Sequence, residues 1–113
     1  MKIPEPSPAA LERLRTLLAG DSRVQLRKMF GQPAAFVQGN LCVGAFGNEL
    51  FVRLNEADAR ILSKVPGVRH FEPAPGRPMK QYFVLPRALL EDRVQAKKWI
   101  ARSIEFAANL PAK

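Results

Sequence analysis

The two ends of the chain carry the residue spacing of amphipathic helices. Ser7-Pro8 is typical of an N-cap followed by proline at the first helical position, and leucines then recur at steps of three and four residues. This pattern predicts a helix over residues 8–19. Near the carboxyl end, apolar residues that include Trp99 fall on one arc at about 100° per residue. They predict a long helix from residue 92 to about residue 108, with Trp99 in the core.

Between these helices the hydrophobic period changes to two, which is typical of strands with one exposed face. Alternating or apolar runs of strand length occupy residues 24–30, 34–38, 41–46 and 49–54. Gly39-Asn40 and Gly47-Asn48 separate the last three of these runs. A two-residue link that tolerates positive φ is a hairpin signal. Its repetition predicts an antiparallel meander.

The second half of the chain alternates between short elements. Asn55 is expected to cap a helix that Pro66-Gly67 ends, with Asp58 close to completing a capping box. After this helix the pattern predicts a short strand, a proline-rich loop, a strand and a short helix, at residues 68–71, 73–78, 81–85 and 86–90. The order of elements predicts an α+β fold, in which an antiparallel β-meander sheet carries helices packed on one face.

Length and composition indicate one domain. The 113 residues, 47% of them hydrophobic, suit a single domain over residues 1–113 with a proline-rich lead-in at 1–7. The one cysteine, Cys42, excludes an internal disulfide framework and a multi-cysteine metal site. The amino terminus has no apolar leader, and the longest uncharged run, residues 29–48, alternates and contains polar residues. Neither a secretory signal nor a membrane span is predicted, so we expect a cytoplasmic protein.

The positive charge is concentrated in the second half of the chain. The net charge is +8, and residues 59–113 contribute +7 of it through eleven basic and four acidic side chains. The excess is either a solvated surface or a site that attracts a polyanion or an acidic protein. The candidate contacts for an anion or a nucleic acid are Arg77, Lys80, Arg93, Lys97, Lys98 and Arg102. Of these, Arg77 stands out because prolines flank the Gly76-Arg77-Pro78 turn and stiffen it.

Groups with catalytic chemistry are few. His70 is the only histidine, and a nucleophilic pair with Cys42 would require the two to meet in space. Alternation makes Cys42 a strand residue, and a buried thiol behaves as an inert small hydrophobe. Asp58 and Asp92 are better explained as helix caps than as acid–base groups. We therefore assign no catalytic, cofactor or metal residues and predict a protein that is not an enzyme.

Aromatic residues in the predicted strands allow two interpretations. Phe46, Phe51, Tyr82 and Phe83 lie close in sequence to Arg53 and Lys80. Such a combination could stack nucleobases, as on the sheets that bind single-stranded nucleic acid. In a domain of this size, these residues belong more often to the core.

Five blocks of the sequence resemble one known family. Arg27-Lys28-Met29-Phe30-Gly31 is similar to the Met-Phe-Gly signature that opens the TfoX/Sxy N-terminal domain. The resemblance continues in register over residues 8–107, through the blocks Gly39-Asn40-Leu41, Glu49-Leu50-Phe51-Val52-Arg53-Leu54, Gly76-Arg77-Pro78-Met79 with Tyr82-Phe83-Val84-Leu85-Pro86, and Leu89-Leu90-Glu91-Asp92 with Trp99-Ile100-Ala101-Arg102.

The resemblance implies a fold like that of TfoX N-terminal and secretion-chaperone-like domains. Full-length relatives regulate natural competence and act on transcription alongside a cyclic-AMP receptor protein. They carry a further helical domain suited to DNA. This chain ends at Lys113, so we expect a stand-alone member without that second domain. The family has no established catalytic residues.

Three functional hypotheses follow. The first is a non-enzymatic regulatory or interaction module, linked to transcription or competence, with a protein or nucleic-acid partner. The second is a small-ligand-binding or enzymatic domain that uses the pocket between sheet and helices, with Arg53, Arg77 or Lys80 as anion contacts. The third is self-association as a homodimer through an exposed strand or helix face. None of them requires a membrane or a cofactor.

Overall fold

The computed structural model describes residues 8–18, 21–29, 32–47, 49–74 and 76–112. The fold is α+β, as predicted, with helices packed against a six-stranded antiparallel sheet. Its elements in chain order are α1 (Pro8–Leu18), β1 (Gln25–Met29), β2 (Gln32–Val37), β3 (Asn40–Phe46), β4 (Glu49–Arg53), α2 (Glu56–Ser63), β5 (Arg69–Ala74), β6 (Arg77–Val84), α3 (Arg87–Glu91) and α4 (Arg93–Ala108).

The sheet begins as a meander and ends with a reversal. Its strand order is β1-β2-β3-β4-β6-β5, and every pairing is antiparallel. The first four strands follow one another as the hairpin signals predict. The chain then passes through α2 to β5 at the far edge, and β6 returns to fill the place beside β4. As a result, the start of β5 and the end of β6 lie at the same end of the sheet.

The helices cover one face of the sheet and leave the other to the strands. The larger core joins apolar residues of four helices to the inner face of the sheet, among them Leu14, Leu62, Leu90, Trp99 and Ile100. The indole of Trp99 is buried, as predicted, with 3% of the residue exposed. A second cluster on the opposite face has only strand residues as its buried members: Ala34, Leu41, Phe51, Phe71 and Val84.

The helix caps follow the sequence closely. The Asn55 side chain accepts a hydrogen bond from the Asp58 backbone N–H at 2.8 Å. Asp92 Oδ1 accepts from the N–H groups of Val94 and Gln95 at 3.1 and 3.2 Å. The carboxylate of Asp58 does not complete the capping box, because it binds Arg102 of α4 instead. None of the described helices has the length and apolar character that crossing a membrane requires.

The β2–β3 turn lies one residue earlier than predicted. Gln38 and Gly39 form it, with φ angles of 51° and 84°, and Val37 pairs with Asn40 across the ladder. Two consecutive positive φ angles are what a two-residue turn between twisted strands requires. Asn40 therefore belongs to β3, where it is buried and its Nδ2 donates to the Pro111 carbonyl at 3.0 Å.

The predicted loop at 73–78 is mostly strand. β5 extends to Ala74, and β6 begins at Arg77, so only positions 75 and 76 connect them. The pairing of β6 with β4 spans only Tyr82 to Val84, whereas its pairing with β5 reaches back to Arg77. Proline lacks an N–H, and Pro78 lies outside the stretch that pairs with β4, so it costs that ladder no hydrogen bond.

Candidate anion-binding cleft

A cavity of about 540 Å³ opens at the end of the sheet where β5 begins and β6 ends. This volume is within the range of small-molecule sites. α1 and α3 form its other walls. Its lining residues are Ala9, Arg13, Glu49, Gly67, Arg69, Val84, Leu85, Pro86, Arg87 and Leu90. Three arginines against one glutamate leave the cleft with a formal charge of +2.

The antiparallel pairing of β5 with β6 brings two of the arginines to this place. Arg69 is the first residue of β5 and pairs with Val84, the last residue of β6. The chain then passes through Pro86 into α3, whose first residue is Arg87. Two basic residues that are eighteen positions apart therefore lie on either side of one cavity. Arg13 reaches the same cavity from α1.

The three arginines differ in their partners. Arg69 forms an ion pair with Glu49 across the cleft, and both side chains are about half exposed. Arg87 Nε donates to Glu91 Oε1 at 2.9 Å within α3. Arg13 is half-buried and has no hydrogen bond or ion pair with any described residue.

Gly67 allows the loop before β5 to close against the chain after β6. Its φ is +89°, and an added Cβ would lie 3.1 Å from the Cβ of Pro86. Glycine adopts this φ without steric cost. Its small size also keeps the loop close to Pro86 at the floor of the cleft.

This arrangement suits the binding of an oxyanion. The planar guanidinium group offers paired N–H donors that match carboxylate and phosphate geometry. Arg13, Arg69 and Arg87 come from three separate elements, so a bound anion would link α1, β5 and α3. In the free protein, the Glu49 carboxylate positions the guanidinium of Arg69. The same carboxylate can accept a hydrogen bond from a donor group of the ligand.

The residues predicted on the last helix form a separate surface. Arg93, Lys97 and Lys98 are exposed on α4, and no ion pair joins any of them to another described residue. The ammonium of Lys98 lies 5.2 Å from the Trp99 ring centroid. Arg102 differs from its neighbours, because its guanidinium donates to Asp58 at 2.8 Å. The structure thus gives Arg102 a partner within the fold.

The other predicted anion contacts do not line the cleft within the described part of the chain. Arg53 Nε donates to Gln81 Oε1 at 2.9 Å, and its guanidinium lies over the rings of Tyr82 and Phe106. Arg77 and Lys80 belong to β6, and their side chains lie outside what the structure describes. The prediction that Arg77 occupies an exposed loop is wrong, because strand pairing with β5 extends over it.

Cys42 and His70 lie in different surroundings. Cys42 is fully buried in β3, where its thiol donates to the Ala35 carbonyl at 3.3 Å. Burial raises the pKa of this thiol to about 12. His70 is exposed on β5, and its ring centroid lies 4.6 Å from that of Phe83. Among the described residues, no group of three or more His, Cys, Asp or Glu side chains could hold a metal ion.

The aromatic residues on the strands are mainly core. Phe51 and Phe83 are buried, whereas Phe46 and Tyr82 are half-buried. Phe51 stacks on Phe71 with centroids 4.1 Å apart. The Arg53 guanidinium lies 5.4 Å from the Tyr82 ring centroid. These contacts favour a structural role over a platform for nucleobases.

Sequence reasoning missed the three arginines of the cleft. Arg69 and Arg87 each follow a proline-containing break and begin an element, and an antiparallel hairpin of the two strands between them would have been the available signal. No such signal marked Arg13, because it lies on the polar side of the predicted first helix. Its position depends on how α1 crosses the end of the sheet.

The architecture is that of a small α+β domain with helices on one face of a six-stranded antiparallel sheet. The family model described as the TfoX N-terminal domain matches residues 16–107. The chain therefore belongs to the TfoX N-terminal domain family, as its sequence blocks indicated. No match was found among curated proteins.

Proposed function

We propose that this TfoX N-terminal domain is a non-enzymatic interaction module that recognises an anionic group of its partner in the cleft of Arg13, Arg69 and Arg87. The observation that carries the proposal is that three arginines from three elements, Arg13, Arg69 and Arg87, line one cavity of about 540 Å³. Arg13 contributes most to it, since it is half-buried and has no partner among the described residues.

A binding role is supported over a catalytic one by the state of the reactive groups. The thiol of Cys42 is buried and carries a raised pKa, so it is protonated and inaccessible at neutral pH. His70 contacts the ring of Phe83 and not the cysteine. The side chains that line the cleft are those of arginine, glutamate and aliphatic residues, which suit recognition of charge and shape.

We further propose a regulatory role, in transcription or competence, and the resemblance to competence regulators supports it. We place this role in the cytoplasm, a reducing compartment in which a free cysteine such as Cys42 stays a thiol. In such a role, the module would act by holding a partner rather than by transforming a substrate.

The binding of simple anions tests the cleft directly. Amide shifts in ¹H–¹⁵N spectra are followed during titration with inorganic phosphate and, separately, with acetate, against sodium chloride at matched ionic strength. We expect saturable shifts at Gly67, Arg69 and Leu85 with one of the two anions. Arg13→Gln and Arg69→Gln should weaken this binding by about tenfold or more, since each removes a charged donor.

Arg60→Gln is the matched control. Arg60 is an exposed arginine with an ion pair to Glu56, like Arg69 with Glu49, but it lies on α2 outside the cleft. It should bind the anion as the wild type does. Shifts that match those caused by chloride, or equal losses in Arg60→Gln and Arg69→Gln, would contradict the proposal.

The second candidate function is the binding of nucleic acid by α4, and one observation favours it. Arg93, Lys97 and Lys98 are exposed and without ion pairs to described residues. Phosphate contacts make log affinity fall with log salt by about 0.9 per phosphate of duplex DNA. Fluorescence anisotropy of labelled duplex and single-stranded oligonucleotides across a salt series should then show a slope that Lys97→Ala/Lys98→Ala reduces by about two. Absence of binding at about 50 mM salt would exclude this candidate.

A further inference from the structure

β1 forms one edge of the sheet and adds little to the packed core. It pairs with β2 on one side, and no other described strand adjoins it. Its residues Gln25, Leu26, Arg27 and Lys28 are all exposed. Neither apolar cluster of the domain includes a described residue of β1. The sheet therefore extends by one strand beyond the core.

The outer edge of β1 presents backbone groups that no other described segment binds. In an antiparallel pair, alternate residues of a strand direct their N–H and C=O groups to the neighbouring strand, and the residues between them direct these groups outward. The backbone hydrogen bonds that described residues form outside helices and strands include none to Gln25–Met29. An edge of this kind is a template for a further strand.

Leu26 marks the place where the covered core ends. Its ladder partner Ala35 is fully buried in the larger core, whereas 50% of Leu26 is exposed. Residues that are paired in a ladder lie on the same face of the sheet. An apolar side chain opposite Leu26, on a strand added to β1, would remove the exposed part of the leucine from water.

The charge of this edge is positive, and no carboxylate on the two outermost strands cancels it. Arg27 and Lys28 are adjacent on β1, so they lie on opposite faces of the sheet. Neither forms an ion pair with a described residue. Arg27 donates to Gln25 and lies over the ring of Phe36. β1 and β2 contain no Asp or Glu. An acidic residue on each face of an added strand would meet one of these cations.

The same charges disfavour a second copy of this chain as the added strand. Antiparallel pairing of two β1 strands brings basic side chains opposite each other, whether it is centred on Arg27 or between Arg27 and Lys28. Like charges directly opposite each other are destabilising. Basic residues on an edge strand protect against pairing of identical edges, but they do not deter an acidic strand.

We propose that β1 is a second interaction site, at which an extended acidic segment of a partner protein adds as a further antiparallel strand. This site goes beyond the proposed function, because no described residue of β1 lines the arginine cleft. Antiparallel pairing places successive residues of the segment opposite Lys28, Arg27 and Leu26. We therefore expect two acidic residues followed by an apolar one. Main-chain hydrogen bonds supply affinity in strand addition, and side-chain pairs supply specificity.

A short peptide tests the edge on the full chain. The probe is Thr-Thr-Glu-Glu-Val-Thr-Thr with blocked termini, titrated into ¹⁵N-labelled protein. We expect saturable amide shifts on β1 and slower hydrogen exchange at every second amide of this strand. The same peptide with lysine at both glutamate positions should bind about tenfold more weakly, or less. Absence of saturable shifts on β1 up to about 5 mM acidic peptide would overturn the proposal.

Backbone methylation separates strand pairing from charge attraction alone. Two further peptides are methylated at the backbone nitrogen of either the first or the second glutamate. In an added strand, only one of these two N–H groups faces β1. One methylated peptide should therefore bind about tenfold more weakly than the other. Equal affinities of the two would overturn pairing with the edge.

Charge reversal locates the site. Arg27→Glu/Lys28→Glu should weaken binding of the acidic peptide by about tenfold or more and make the lysine peptide the better ligand, a preference that an unfolded variant would not show. Lys97→Glu/Lys98→Glu is the matched control, because it changes the net charge equally at two adjacent exposed cations of α4. It should change binding by less than about twofold. Equal losses in the two variants would overturn the site on β1.

Other outcomes would assign a different occupant or a different place. Loss of peptide binding in Arg69→Gln would move the acidic segment to the arginine cleft, whereas unchanged binding there keeps the two sites separate. Protection of the β1 amides that rises with protein concentration, without peptide, would identify a second copy at the edge. A duplex oligonucleotide that displaces the peptide and shifts the same amides without slowing their exchange would identify nucleic acid. Each of these three results would overturn the acidic strand on β1.

Discussion

Arg102 of α4 donates a hydrogen bond to Asp58 of α2 at 2.8 Å, and this ion pair connects the two helices on the covered face of the sheet. The Asp58 side chain is only 12% exposed, whereas that of Arg102 is 46% exposed. A carboxylate so far removed from water needs a partner. Arg102 therefore has a structural role, although the residues around it in the sequence are typical of a basic surface.

Removal of this guanidinium should destabilise the protein. Arg102→Ala leaves the Asp58 carboxylate without its ion pair, and we expect a loss of about 1–2 kcal/mol in the free energy of unfolding. Urea denaturation measures it, with Lys97→Ala on the same helix as the control, since Lys97 is exposed. If the two variants unfold at the same urea concentration, Arg102 has no such structural role.

The ring of Phe51 lies directly on the backbone of Gly44, its ladder partner in β3. A Cβ added at Gly44 would lie 2.4 Å from Cζ of that ring, well inside contact distance. The ring cannot retreat easily, because Phe71 stacks on it at 4.1 Å. Gly44→Ala should therefore cost about 2 kcal/mol or more through overpacking.

A double variant identifies the cause of that loss. Combining Gly44→Ala with Phe51→Leu reduces the clash, so the summed destabilisation of the two single variants should exceed that of the pair. Chemical denaturation of all four proteins gives the coupling free energy. Additive losses would show that the ring and the glycine do not interact as the structure indicates.

The fold is largely predictable because its signals are local. Periodicity of two, glycine-containing links and helix caps each depend on residues within a few positions of one another. The errors also have local causes. The turn at Gln38 lies one residue earlier than predicted because Asn40 is buried in β3 and donates to the carbonyl of Pro111, far away in sequence. The β5–β6 hairpin was predicted as a loop because prolines are unusual within strands. They are tolerated here because the first part of β6 pairs only with β5.

The cleft was less predictable, because it depends on how elements are placed in space. Arg13, Arg69 and Arg87 are far apart in sequence and none belongs to a basic run. Four of the six predicted contacts lie on α4, yet the charge of Arg102 is used within the fold. Basic residues that are close together in the sequence thus indicated the surface of α4. The arginines of the cleft are distant in sequence, and the arrangement of β5, β6 and α3 in space brings them together.

The Asp21–Arg23 contact predicts a pH-dependent contribution to stability. Hydrogen bonds from Arg23 lower the pKa of Asp21 below its ordinary value of 3.8. A lowered carboxyl pKa stabilises the fold above the unfolded value, and this contribution is lost as the pH falls through the folded value. Asp21→Asn should therefore melt slightly below the wild type at pH 7, by no more than about 3 °C, because the pair is at the surface. The difference should narrow as the pH falls below 3.8, and a constant difference down to the acid limit of folding would rule out the ionisation as its cause.

The thiol of Cys42 should be unreactive until the protein unfolds. Its pKa is raised to about 12 by burial, against an ordinary value of 9.0. At pH 8 this lowers the thiolate fraction by about a thousandfold, and the thiolate is the form that reacts with disulfide reagents. We expect no release of thionitrobenzoate from Ellman's reagent by the native protein, and one equivalent in urea. Rapid labelling without urea would show that the core around β3 opens readily.

Alanine substitutions at Gly67 and Gly76 are two matched variants that test how Gly67 shapes the cleft. Both have positive φ, of +89° and +78°, but an added Cβ meets Pro86 at 3.1 Å only at Gly67 and meets nothing within 4 Å at Gly76. Substitution by alanine should cost each protein about 1 kcal/mol, because alanine is strained at such φ angles. Gly67→Ala should in addition push the loop away from Pro86, widen the cleft and weaken phosphate or acetate binding, which Gly76→Ala should leave unchanged. Urea denaturation and the anion titration together measure both effects. Equal anion affinity in the two variants would show that the closure of Gly67 on Pro86 does not shape the site.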